Sequence, residues 1–156
     1  RVTPLSKETQ SLFNGIECII IFPNTHLSTK DVFSVFRKDR LELTPKRPES
    51  QSDDDVPLRD FQQHEFQTVE QITVSLKNVI DNDLTLSAIK ICPLIGDLLA
   101  NLSEIMGVYP FMTGSGSSIA IVPATGPKFD FVQREGIKRA LFAHKINHFD
   151  GKLQVD

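Results

Sequence analysis

"PLIGDLLANLSEIMGVYPFMTGSGSSIAIVPA", residues 93–124, carries three structural signals in succession. Leu94, Ile95, Leu98, Leu99, Leu102, Ile105 and Met106 recur at the spacing of one helical face, which commits that face to a core. Pro93 stands at the first helical position, where a missing N–H costs nothing, and Gly107 is placed to terminate the helix. "YPFMTG" and "SSIAIVPA" then flank a glycine- and serine-rich loop, the pattern of strand, turn and strand. A core helix feeding directly into a hairpin predicts a mixed domain in which helices pack on a sheet.

Working outward, "VEQITVSLKNVIDNDLTLSAIKIC" (69–92) is apolar at Leu76, Val79, Ile80, Leu84, Ala88, Ile89 and Cys92. Asp81, Asn82 and Asp83 interrupt it with good capping side chains, so a helix should break there and a second one restart, with Asn82 and Asp83 as its cap. Further upstream, "IECIIIF" (16–22) has the continuous β-branched character of a strand covered on both faces, ended by Pro23 and Asn24. Ser28 and Thr29 are N-cap candidates for "KDVFSVFRKD", which sets Val32, Phe33 and Phe36 on one side. Residues 1–15 are polar and accommodate at most a short helix. Downstream, "KFDFVQREGIKRALFAHK" (128–145) has helical spacing through Phe129, Val132, Ile137, Ala140 and Leu141, and "INHFDGKLQV" (146–155) is a last strand or a small hairpin turning at Asp150-Gly151. The sum is an α+β fold: three or four mainly antiparallel strands with helices on one face. Residues 45–67, with three prolines and a triple Asp run, read as a flexible insertion too short to separate two domains, so 1–156 is a single domain.

Composition excludes several function classes. With 17 basic against 20 acidic side chains and a net charge of -3, the chain offers no clustered positive face for nucleic acid. Cys18 and Cys92 lie far apart, each among apolar neighbours, where a thiol behaves as a small buried hydrophobe; a reducing cytoplasm is the expected location. No charged n-region precedes an apolar stretch, and no apolar run reaches the roughly 18 residues a membrane span needs, so no membrane partner is expected.

The loop "GSGSS" (114–118) sets three serines around two glycines, a combination that can hold a phosphate. A Walker-type phosphate loop needs Lys after its last glycine, and a dinucleotide fingerprint needs a third glycine where Ile119 stands; neither motif is present. What remains is a loop whose glycines permit positive φ and whose amides and hydroxyls are unhindered, which leaves both a ligand-facing loop and a simple corner open. His26, His64, His144 and His148 do not form a metal-ligand pattern, and the serines have no adjacent base. The Asn101-Leu102-Ser103 sequon lies inside the core helix and carries no weight there.

Three segments in a fixed order do carry a resemblance: "FPNTHLSTKDVF" (22–33), "NDL" (82–84) and "MTGSGSSIAIV" (112–122). With "CPLIGDLLANL" (92–102) as a "P-x-I"-like helix start, they resemble the C-terminal half of the 4-diphosphocytidyl-2-C-methyl-D-erythritol kinases, a family of the GHMP small-molecule kinase superfamily. The correspondence runs through nearly all of the chain from about residue 16. It implies a ferredoxin-like C-terminal lobe whose parent enzyme transfers the γ-phosphoryl of ATP to the 2-hydroxyl of the cytidyl substrate in non-mevalonate isoprenoid synthesis. Gly114, Ser115, Gly116, Ser117 and Ser118 would form the third motif of the superfamily and face the cleft between lobes. The resemblance sets Phe33 beside the cytosine ring and Lys30 at the neighbouring position of the same pocket.

The family's glycine-rich ATP loop and its Lys/Asp pair belong to an N-terminal lobe, and no counterpart stands in this sequence. No catalytic residue is therefore assigned here; ATP and Mg²⁺ are expected for the whole enzyme, with none bound by this lobe alone. A chain beginning at Arg1 without those parts is expected to be a lobe of a longer protein and inactive by itself. Two other readings stay open: the C-terminal lobe of a homoserine- or mevalonate-type GHMP kinase, and a stand-alone α+β binding or regulatory module.

Overall fold

The computed structural model describes residues 6–43, 66–80, 82–144 and 146–152, so the insertion expected at 45–67 lies, apart from its last two residues, outside the described residues. Among them are helices α1 (Lys7–Phe13), α2 (Thr29–Leu43), α3 (Val69–Val79), α4 (Thr85–Ile91), α5 (Pro93–Ser103) and α6 (Phe131–Ala143). The strands are β1 (Glu17–Phe22), β2 (Val108–Met112), β3 (Ile119–Pro123) and β4 (Asn147–Lys152), in the spatial order β2-β3-β1-β4. Every neighbouring pair is antiparallel. This is the ferredoxin-like arrangement the resemblance implied, with α2 to α5 filling the first crossover and α6 the second. The terminal segment resolves as a strand: Ile20 pairs with Phe149 and Cys18 with Gly151.

Alternation along the strands divides the sheet into two faces. Ile19, Ile21, Val108, Met112, Ile119 and Ile121 pack against Ile95, Leu98 and Leu102 of α5 and Ile137 and Leu141 of α6, forming the main core. The opposite face is closed as well, since Cys18, Ala120 and Val122 are buried beside Ile20, Tyr109 and Phe111. A smaller cluster joins α1 to α3 through Ile16, Phe66, Ile72 and Leu76, and the Tyr109 hydroxyl, which donates to Ile80 O at 2.8 Å, ties it to that second face.

Three apolar positions of the helical pattern lie outside the core, the first being Phe33 of α2, exposed although Val32 beside it is buried. α5 ends at Ser103, so Met106 falls beyond the last turn and is 90% exposed. Gly107 comes four residues after that end, at φ +76, and serves the turn into β2 more than the helix terminus. In α6 the phase is fixed by a capping box: Asp130 accepts from Gln133 N–H, and Gln133 Oε1 accepts from Asp130 N–H. Gln133 is thereby turned inward and donates to Gly107 O at 3.1 Å, while Val132 points out, 74% exposed. The start of α6 is also pinned to β1, because Glu17 accepts from Phe129 N–H and pairs with Arg134.

Among the described strands β2 is an edge of the sheet, and part of its outward backbone is already engaged. Ala124 N–H donates to Gly107 O and Thr113 N–H to Ser118 O, so the odd-numbered residues bond to β3 and the even-numbered ones turn outward. There Val108 N–H donates to Ile105 O at 3.2 Å, Pro110 has no N–H, and Met112 O accepts from the Asn82 side chain at 2.9 Å.

Candidate functional site

The β2–β3 connection closes between Thr113 and Ser118, with Thr113 N–H donating to Ser118 O at 2.9 Å and Gly116 N–H to Thr113 O at 3.1 Å. Both glycines have positive φ, +56 at Gly114 and +86 at Gly116, but they are held differently. A Cβ on Gly116 would lie 2.9 Å from Leu27 Cδ1 and 3.1 Å from Met112 Sδ, so this glycine lets the loop close over the core. A Cβ on Gly114 would meet nothing within 4 Å, and that residue is exposed.

Three other segments converge on this loop. From the segment between β1 and α2, Thr25 O accepts from the Ser117 hydroxyl at 2.7 Å, and the Thr29 and Ser115 hydroxyls lie 2.9 Å apart. From the junction of α3 and α4, the Asn82 carboxamide donates to Met112 O at 2.9 Å and to Gly114 O at 2.8 Å. The start of α5 contributes Cys92, whose Sγ is 3.6 Å from Thr25 Oγ1. Ser118 takes part through its backbone carbonyl, which closes the turn.

The expected site residues fall in distinct places around this centre. Ser28, not Thr29, caps α2: its carbonyl accepts from Asp31 and Val32 N–H, and its hydroxyl lies 3.4 Å from Asp31 N. Thr29 is released to reach Ser115, and Phe33, one turn later on the same face and 41% exposed, stands beside that contact. Lys30 is exposed, and no hydrogen bond or ion pair joins it to the loop among the described residues. Asn82 Oδ1 accepts from Leu84 N–H at 3.0 Å, whereas Asp83 is an exposed turn residue and α4 begins without a side-chain bond at its own cap position. On its far side Asn82 lines a cleft of about 510 Å³ with Asp83, Leu86, Leu99, Tyr109 and Phe111.

Local spacing marks Thr29 as a cap and gives Thr25 no role, yet both fasten the loop across 92 and 86 residues of chain, a separation no local pattern reports. Burial pushes the Cys18 thiol above its ordinary range, which suppresses the thiolate, and places it on the sheet face away from the loop. Among the described residues, no group of three or more His, Cys, Asp or Glu side chains could hold a metal ion. No helix among them is long and apolar enough to cross a membrane.

No family model matches the chain. A 4-diphosphocytidyl-2-C-methyl-D-erythritol kinase of Hydrogenobaculum sp. is 30% identical over 105 residues, which cover 67% of this chain and 30% of the relative. A solved homoserine kinase from Cytophaga hutchinsonii superimposes with a TM-score of 0.56 at 15% identity, covering 89% of this chain and 41% of that one. The chain thus spans less than half the length of either protein. The homoserine kinase likeness speaks for the fold and the erythritol kinase match for the sequence. The sequence match and the shared fold both agree with the resemblance to GHMP kinases that the ordered motifs and the loop carry.

Proposed function

We propose that the chain is the C-terminal lobe of a cytoplasmic kinase that uses ATP to phosphorylate the 2-hydroxyl of 4-diphosphocytidyl-2-C-methyl-D-erythritol, a step of non-mevalonate isoprenoid synthesis. The observation that carries this reading is the Gly114–Ser118 loop, fastened from Thr25, Thr29 and Asn82, in a chain whose sequence match is to a kinase of that name. Phosphoryl transfer depends on positioning and charge stabilisation more than on covalent chemistry by the protein. A loop tied down at its carbonyls and hydroxyls suits the positioning part. Phe33, exposed one turn from the Thr29–Ser115 contact, offers an aromatic face to a base.

On this reading Mg²⁺ and the nucleotide are held by an N-terminal lobe, where the resemblance puts the ATP loop and the Lys/Asp pair. By itself the chain then binds neither and has no turnover.

The test is a substrate panel on the full-length protein: ATP with the cytidyl alcohol, with homoserine and with mevalonate, the phosphorylated product being identified by mass. Phosphorylation of the cytidyl alcohol alone is expected. Turnover restricted to homoserine would favour the reading suggested by the structural neighbour. Turnover by residues 1–156 alone would overturn the assignment of chemistry to the missing lobe.

A further inference from the structure

We infer that Asn82 is a positioning residue that holds the outer half of the Gly114–Ser118 loop in its working shape. Its relevance to turnover rests on the kinase reading above; its hold on the loop does not. The side chain makes three hydrogen bonds at once: Oδ1 accepts from Leu84 N–H at 3.0 Å, and Nδ2 donates to Met112 O at 2.9 Å and Gly114 O at 2.8 Å. Only one orientation of the carboxamide satisfies this set, because the reverse would press an oxygen against two carbonyls and NH₂ against an N–H. An acceptor and two donors on so short a stem are the property of asparagine among the side chains.

The two halves of the loop depend on different supports. Gly116 is held by packing, with Leu27 and Met112 where its Cβ would be, and Ser117 is bound to Thr25 O. Gly114 has no such neighbour within 4 Å and is exposed, so its left-handed conformation at φ +56 is fixed from its carbonyl, by Asn82. Ser115 follows directly and carries the contact to Thr29 on the helix that bears Phe33. Asn82 also replaces a neighbouring strand at Met112 O on the free edge of β2, which places the loop's first residue. One side chain therefore sets the start of α4 and the exposed half of the loop together.

Asn82→Asp separates these two tasks. A carboxylate still accepts from Leu84 N–H, but it loses both donors and opposes two carbonyl oxygens. On the full-length protein, wild type, Asn82→Asp and Asn82→Ala are compared by amide hydrogen exchange and by kcat and KM across pH. In Asn82→Asp, peptides covering 112–118 are expected to exchange about tenfold faster or more while α5 and the β1 and β3 strands keep their protection. kcat/KM is expected to fall by roughly ten- to a hundredfold, and the deficit should narrow as pH falls, because the protonated acid regains one donor. Asn82→Ala should show the loop effect without that recovery at low pH. The inference is overturned if loop exchange in Asn82→Asp equals wild type, or if protection is lost uniformly with a deficit that does not change with pH. Should the wild type fail to phosphorylate the cytidyl alcohol, the proposed function falls, and the exchange comparison still decides the role of Asn82.

Discussion

Replacing each loop glycine by alanine separates conformational strain from crowding within one turn. Gly114→Ala adds a methyl group to open space at φ +56, so its cost is the left-handed backbone alone, about 1–2 kcal/mol. Gly116→Ala at φ +86 carries that same cost and also places the methyl 2.9 Å from Leu27 Cδ1, 3.1 Å from Met112 Sδ and 3.6 Å from Ile95 Cδ1. Leu27, Met112 and Ile95 are all buried in the main core, so they have little room to yield. Overpacking of that kind adds about 1–3 kcal/mol, bringing Gly116→Ala to roughly 2–5 kcal/mol. The assay is equilibrium urea unfolding of both variants beside wild type, read from the midpoint at unchanged slope. The expected order is wild type, then Gly114→Ala, then Gly116→Ala, with a second interval of about 1–3 kcal/mol. Equal losses for the two variants would refute the claim that Gly116 closes the loop over the core.

Three further outcomes follow from the packing and the caps. Leu98→Ala, at a fully buried position of α5, is expected to destabilise by about 2–5 kcal/mol in the same unfolding assay. Asp130→Ala removes one arm of the α6 capping box and should cost about 1 kcal/mol, whereas Val132→Ala, on the exposed side of the same turn, should stay within about 0.5 kcal/mol. In thiol labelling of the native protein at neutral pH, Cys92 is expected to react well before Cys18. Burial raises the Cys18 pKa, so thiolate is scarcer there than on an ordinary cysteine, and labelling of Cys18 should accelerate only with unfolding; faster reaction at Cys18 would contradict its placement.

What could be read from the sequence tracks how local the cause is. The β1 strand and the α5 helix were legible because Ile19 and Ile21, and Ile95, Leu98 and Leu102, announce their burial through adjacent residues. The break at Asn82 was legible for the same reason, since its cap bond reaches only to Leu84. Met106 and Val132 were misplaced because periodicity extends a face without knowing where the helix ends or which residue caps it. Glu104 N–H still bonds to Ala100 O, but the next residues leave the helix, and Gln133 took the inward position that Val132 was expected to fill. The loop's shape was the least legible part. Its glycines indicated a turn, yet the groups that decide its conformation, Thr25, Thr29 and Asn82, come from segments 92, 86 and 32 residues away.

The treatment of the β2 edge bears on how the protein behaves in concentrated solution. An open strand edge is a template on which a second chain can continue the sheet. A chain laid along β2 would find Val108 N–H already given to Ile105, no donor at Pro110, and the Met112 carbonyl taken by Asn82. Three of the outward groups are thus withheld from a second chain, by three unrelated devices: a backbone turn, an imino acid and a side-chain amide. The asparagine that anchors the loop is one of them, so its replacement would also unmask an acceptor where copies of the chain could begin to stack.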